Sequence, residues 1–182
     1  EFGPAFSVVA DKLAYLATAA PASNTLEAVK EAQSAADRAI DLAPGDVNVM
    51  FNVAQFQFHS GQISNSVRSM KRVLELDPNF ALAGFFEAVY PYTCAAAPDE
   101  VLAKAKDFDQ ALAVDNPIRW VTLTWLGWLH LGRGELQDAL EAEERAAQIF
   151  QIPYTVVRRA AILNLLGRTE DAKALLESKR AS

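Results

Sequence analysis

The chain has 182 residues, 51% of them hydrophobic, a formal net charge of -6 and a single cysteine. That apolar content suffices for a packed core. The negative charge repels a phosphate backbone, which argues against direct nucleic-acid binding, and one thiol can form neither an internal disulfide nor a multi-cysteine metal site. The longest apolar run, VTLTWLGWLHLG, is bounded by Arg119 and Arg133 and falls short of the roughly 18 residues of a membrane span, so it reads as a buried helix. With no span and a lone thiol, a cytoplasmic location is expected.

Residues 1–4 read as a cloning scar and 5–182 as one repeat domain. Apolar residues recur at helical spacing among Ala, Leu, Glu and Gln, and no alternating strand appears, so the chain is predicted to be all-α. A first helical hairpin, 5–46, holds the loop PASN, with Asn24 and Glu27 spaced as a capping box, and stops at Pro44. The second, 47–80, turns at Gly61 and stops at Pro78, 34 residues after Pro44. Proline after a helix is expected because its ring cannot continue the turn. Ser66, Met70 and Val73 are predicted to make the contact between its two helices.

A third hairpin, 81–118, has Pro91 in the last turn of its first helix and the long connection YTCAAAPDE. The fourth, 119–152, turns at Gly134, with Leu126 and Gly127 before the turn and Asp138 and Ala139 after it. The fifth, 153–182, turns at Gly167, with Ala160 before and Asp171 and Ala172 after. Gly134 and Gly167 are 33 residues apart, as are Ala139 and Ala172, whereas the two LGR tripeptides are 35 apart. The repeat is therefore the turn with its Asp-Ala, not the tripeptide.

These landmarks, strongest in WLGWLHLGRGELQDALEAEERA and ILNLLGRTEDAKALLE and fair in NVMFNVAQFQFHSGQISNSVRSMKRVLELDP, resemble the tetratricopeptide repeat family. The resemblance implies a right-handed α-solenoid of about five helical hairpins, none able to bury its apolar face alone. It also implies a non-enzymatic scaffold that binds a protein or peptide in a concave groove lined by the first helix of each hairpin. Carried over residue by residue, the groove positions most relevant to a partner are Asn48, Phe51, Gln55, Phe85, Val89, Thr124, Trp128, Tyr154, Val157 and Asn164. They are mainly apolar or aromatic, unlike the lysine and asparagine set with which some family members clamp a terminal carboxylate. Trp125 and Trp128 cannot both fill the seam between helices, so at least one is expected to face the groove or the next hairpin, and Trp128 is singled out. Glu87 stands where the family usually buries leucine. A weaker resemblance to repeat tails of bacterial regulators carrying a winged-helix or class III nucleotide cyclase domain implies a sensory or self-associating, homodimeric role.

Chemistry finds little support in the sequence. His59 and His130 have no second ligand at i+3 or i+4 that would bind a metal, Cys94 has no base beside it, and no GxSxG, HExxH or phosphate-cradling loop occurs. No catalytic residue, cofactor or metal is expected; an enzyme would require a polar pocket around Glu87, His130 and Cys94. The carboxylates Glu135, Asp138, Glu141, Glu143 and Glu144 read as a solvated face. The basic residues of the fifth hairpin, Arg158 among them, could dock on that opposite charge.

Overall fold

The computed structural model describes residues 2–19, 25–93, 95–150 and 153–180. The capping-box residue Asn24 and the thiol of Cys94 lie outside them. The described residues are all-α as expected, with helices α1 (Gly3–Ala19), α2 (Thr25–Leu42), α3 (Val47–His59), α4 (Ile63–Leu76), α5 (Ala81–Val89), α6 (Asp99–Ala111), α7 (Ile118–Gly132), α8 (Leu136–Ile149), α9 (Pro153–Leu165) and α10 (Thr169–Arg180). A 3₁₀ turn, Tyr90–Tyr92, follows α5. None of the helices is long and apolar enough to cross a membrane.

The chain forms two compact units, Glu1–Pro91 and Tyr92–Ser182. The division falls inside the third expected hairpin, at the proline that limits α5 to nine residues. In the first unit α1 pairs with α2 and α3 with α4, while α3 also packs on α1 and α5 on α4. Its core is built from small side chains, Ala10, Ala14, Ala32, Ala36 and Ala39, against Val49, Val53 and Phe56. Alanines at these positions allow the helix axes to approach closely, and shape complementarity rather than side-chain bulk fills the space. Asp46 starts α3 by accepting hydrogen bonds from the Asn48 and Val49 amides.

In the second unit α7 pairs with α8 and α9 with α10, α6 packs on α7, and α9 packs on α8. Ala139, Leu140, Ala160, Ile162, Leu163 and Ala172 form the core between the last two hairpins.

Three hairpins share one turn. Gly61, Gly134 and Gly167 have φ of 79°, 75° and 77°, and no other described residue has a positive φ. In each turn the residue after the glycine donates its amide to the carbonyl five residues earlier: Gln62 to Gln57, Glu135 to His130, Arg168 to Leu163. This is the Schellman closure, which satisfies the last carbonyls of the first helix and needs a left-handed residue that glycine supplies without strain. Seven residues before and five after each glycine lie the small residues that let the paired helices touch, Ala54 with Ser66, Gly127 with Ala139, and Ala160 with Ala172. The Ser66 hydroxyl donates to the Ala54 carbonyl at 2.7 Å.

Candidate functional site

Within the second unit, one substitution in the small-residue pattern opens space for charge. Where the other glycine-turn hairpins carry Ala54 and Ala160, α7 carries Gly127, and a Cβ there would come 2.5 Å from the Glu143 Oε1. Glu143 stands nine residues after its turn glycine, the place held in α4 by Met70, and both are 0% exposed. The missing Cβ thus admits a carboxylate where the equivalent hairpin packs a thioether. This corrects the expectation that Glu143 belongs to a solvated face.

A buried carboxylate is tolerated only when paired. Its partner is Arg158 of α9, 8% exposed, whose Nη2 donates to Glu143 Oε1 and, at 3.2 Å, to the Thr124 carbonyl. Burial pushes the Arg158 guanidinium down to about 9. It remains charged at neutral pH, and contact with the Glu143 carboxylate adds to that. Two aromatic rings complete its surroundings: the guanidinium carbon lies 5.1 Å from the Trp128 ring centroid and 4.8 Å from that of Tyr154, within the range of cation–π attraction.

The rings that hold Arg158 are themselves open to solvent. Trp128 is 36% exposed, Tyr154 43% and the neighbouring Val157 60%. Trp128 also lines a hollow of about 260 Å³ together with Thr93, Ala95, Ala96, Leu131 and Gly132. The result is an aromatic and apolar face whose one cation is neutralised from beneath.

Of the residues expected in the groove, Trp128 and Tyr154 are brought together here by Arg158, and Val157 is exposed about one turn after Tyr154 on α9. Asn164 is exposed further along α9, where its Oδ1 accepts a hydrogen bond from Thr169. Thr124, one turn before Trp128, is buried: it faces inward, under Arg158, and offers a partner no surface. In the first unit Asn48 is exposed. Phe51 is half-buried between Phe80 and Phe86, with centroids 4.9 and 6.0 Å away, and Gln55 accepts the hydroxyl of Tyr90. Phe85 and Val89 are buried, Phe85 edge-on to Phe86. The short α5 turns them into the packing, so they too are corrected from contact residues to core.

A second, polar cleft of about 250 Å³ opens among α6, α7 and α8, lined in part by His130, Asp138, Glu141, Asp109 and Arg145. His130 is 5% exposed, and its Nδ1 lies 2.6 Å from Glu135 Oε2. The Arg133 hydrogen bond, then that of His130, holds the Glu135 carboxyl below the usual range. Asp109 is buried but kept ionised: burial pushes its carboxyl up, and hydrogen bonds from Arg119 and Thr122 more than offset this. Among the described residues, no serine or threonine lines this cleft. Glu87 is not part of it either; it belongs to the first unit and faces Lys71 at 3.7 Å.

No protein-family model matches the chain, and neither does the sequence of any curated protein. Solved structures do. The chain is similar to MamA 41-end from Desulfovibrio magneticus RS-1, with a TM-score of 0.54 at 16% identity over 95% of this chain and 97% of that one. It is also similar to the MamA RS-1 ArsTM double mutant, with a TM-score of 0.53 at 16% identity over 94% and 96%. MamA is a tetratricopeptide-repeat protein, and the likeness, nearly end to end, shows that the fold of this chain is an all-α array of tetratricopeptide-like helical hairpins.

Proposed function

We propose that the chain is a non-enzymatic scaffold that binds a protein or peptide segment on the second-unit face made by Trp128, Tyr154, Val157 and the Arg158 between them. One observation carries the reading: two large aromatics stand partly exposed against a guanidinium whose charge Glu143 already balances. Rigid aromatic area beside a hollow is the kind of surface that supplies binding energy at protein interfaces, where tryptophan, tyrosine and arginine dominate. Because the guanidinium is compensated, the complement is an apolar or aromatic side chain, not a terminal carboxylate. The tetratricopeptide-like fold supports a scaffold.

The test is selection of peptides from a random displayed library on the wild-type chain, followed by affinity measurement on Trp128→Ala. Enriched peptides carrying an apolar or aromatic anchor and losing tenfold or more in affinity on the variant support the reading; a hot-spot aromatic is worth about 2 kcal/mol or more. Peptides that bind Trp128→Ala as tightly as wild type, with its helical circular dichroism intact, would refute it. Sedimentation velocity on the same samples reads the other occupant of such a face, a second copy of the chain, as a dimer that Trp128→Ala dissociates.

A further inference from the structure

The His130 cleft is separate from the partner face, and its donor chemistry is of a different kind. Ligand atoms of His130, Glu135 and Asp138 all lie within 4.8 Å of one another. They meet because the turn at Gly134 folds α8 back along α7, so the set is spaced i, i+5, i+8 across a turn instead of i, i+4 on one helix. The two other glycine turns have the same backbone closure and carry Gln57, Gln62 and Asn65, or Leu163, Arg168 and Asp171, at the same three places. Only the α7–α8 turn combines an imidazole with two carboxylates.

Glu135 stands at the N-cap of α8 yet makes no capping hydrogen bond with its side chain. Its Oε1 is held instead by Arg133 Nε at 2.8 Å, and Arg133 is anchored in turn by Asp99 at 2.7 Å and the Ala97 carbonyl at 2.7 Å. This outer partner fixes the carboxylate with Oε2 turned to His130, the orienting role that second-layer groups play around metal ligands. His130, though 5% exposed, lines the cleft together with Asp138, so solvent reaches both.

We propose that His130, Glu135 and Asp138 bind a divalent first-row transition-metal ion of the zinc type, with water from the cleft as the fourth ligand. One imidazole and two carboxylates suit zinc, whereas magnesium and calcium take oxygen ligands throughout. Tetrahedral donors around zinc stand roughly 3.3 Å apart, so the His130–Glu135 pair, at 2.6 Å, opens slightly and the donors now up to 4.8 Å apart close in by side-chain rotation. Seated across the turn, the ion clips α7 to α8 and stabilises the hairpin that carries Trp128.

The experiment is calorimetric titration of the full chain with zinc chloride, with thermal unfolding recorded with zinc and after chelation by EDTA. One ion binds per chain and raises the unfolding midpoint, and EDTA reverses the rise. Asp138→Asn, a near-isosteric change at an exposed position, weakens binding by at least the roughly 10–100-fold that loss of an outer partner costs. His130→Gln abolishes the one-to-one binding, and His59→Gln, the other histidine, leaves it unchanged. No binding by the wild type overturns the proposal. Equal affinity in Asp138→Asn overturns it as well, whether or not His130→Gln folds.

Discussion

The α3–α4 and α7–α8 hairpins have the same turn and the same small-residue contact, and they differ in what fills the space above it. In α3–α4 the residue at that position is Met70, an apolar side chain that is fully buried, as are Ala54 and Ser66. In α7–α8 it is Glu143 over Gly127, a charge that the hairpin cannot satisfy and that only Arg158 of the next hairpin neutralises. The first arrangement is content with shape. The second makes the junction between α8 and α9 specific, because a neighbour without a cation in that place would leave a carboxylate buried and bare. It also places Arg158 where Trp128 and Tyr154 close over it, so the buried pair and the exposed aromatic face are one construction.

The largest effect is expected from removing half of the pair. Arg158→Ala should cost about 3–5 kcal/mol in denaturant unfolding, the typical penalty for stranding a buried charge. Converting the junction to the α3–α4 type should go the other way: Glu143→Met with Arg158→Met is expected to be neutral or stabilising by about 1–4 kcal/mol, while binding of selected peptides is lost with the guanidinium. Gly127→Ala should cost about 1–3 kcal/mol through overpacking against Glu143. In a Glu143→Ala background the same change should be harmless or favourable, since alanine is the better helix former by up to about 1 kcal/mol. A cost that persists there would show that Gly127 does not serve the carboxylate.

Smaller changes sharpen what the hairpins share. Gly134→Ala should cost about 1–2 kcal/mol, the penalty of a left-handed conformation for an L-residue, and Gly61→Ala the same, both read by thermal unfolding. Smallest is a pH effect confined to the first unit. Burial, the largest influence, lowers the pKa of His59, with Asp11 at 3.7 Å opposing and Lys12 adding to the fall. The folded state therefore takes up a proton less readily than the unfolded chain. Stability should fall as pH drops below 6.5, the unfolded value, towards the folded one, and His59→Phe should flatten that slope.

The hairpin turns were legible in the sequence because a positive φ leaves glycine as the residue of least strain, and the regular spacing of such glycines exposes the repeat. The same ruler selected Trp128, Tyr154 and Val157, which are partly exposed to solvent. Phe85 and Val89 did not, since Pro91 cuts α5 short and the helix carries those side chains into the core. Glu143 was hidden in a run of carboxylates that looks like a wetted surface, and its partner lies 15 residues on, in another hairpin. A signal was nevertheless present: Gly127 replaces the alanine that the other hairpins keep, and it faces the helix where a charged residue replaces methionine. His130 escaped a search limited to one helix because its carboxylates lie beyond the turn.

The most direct test of the partner face is an amide and indole chemical-shift map of the full chain with a peptide enriched in the selection. The largest shifts are expected at the Trp128 indole and at the backbone of Tyr154, Val157 and Arg158. Shifts confined to residues 2–91, or centred on Asn48 and Phe51, would contradict binding at that face.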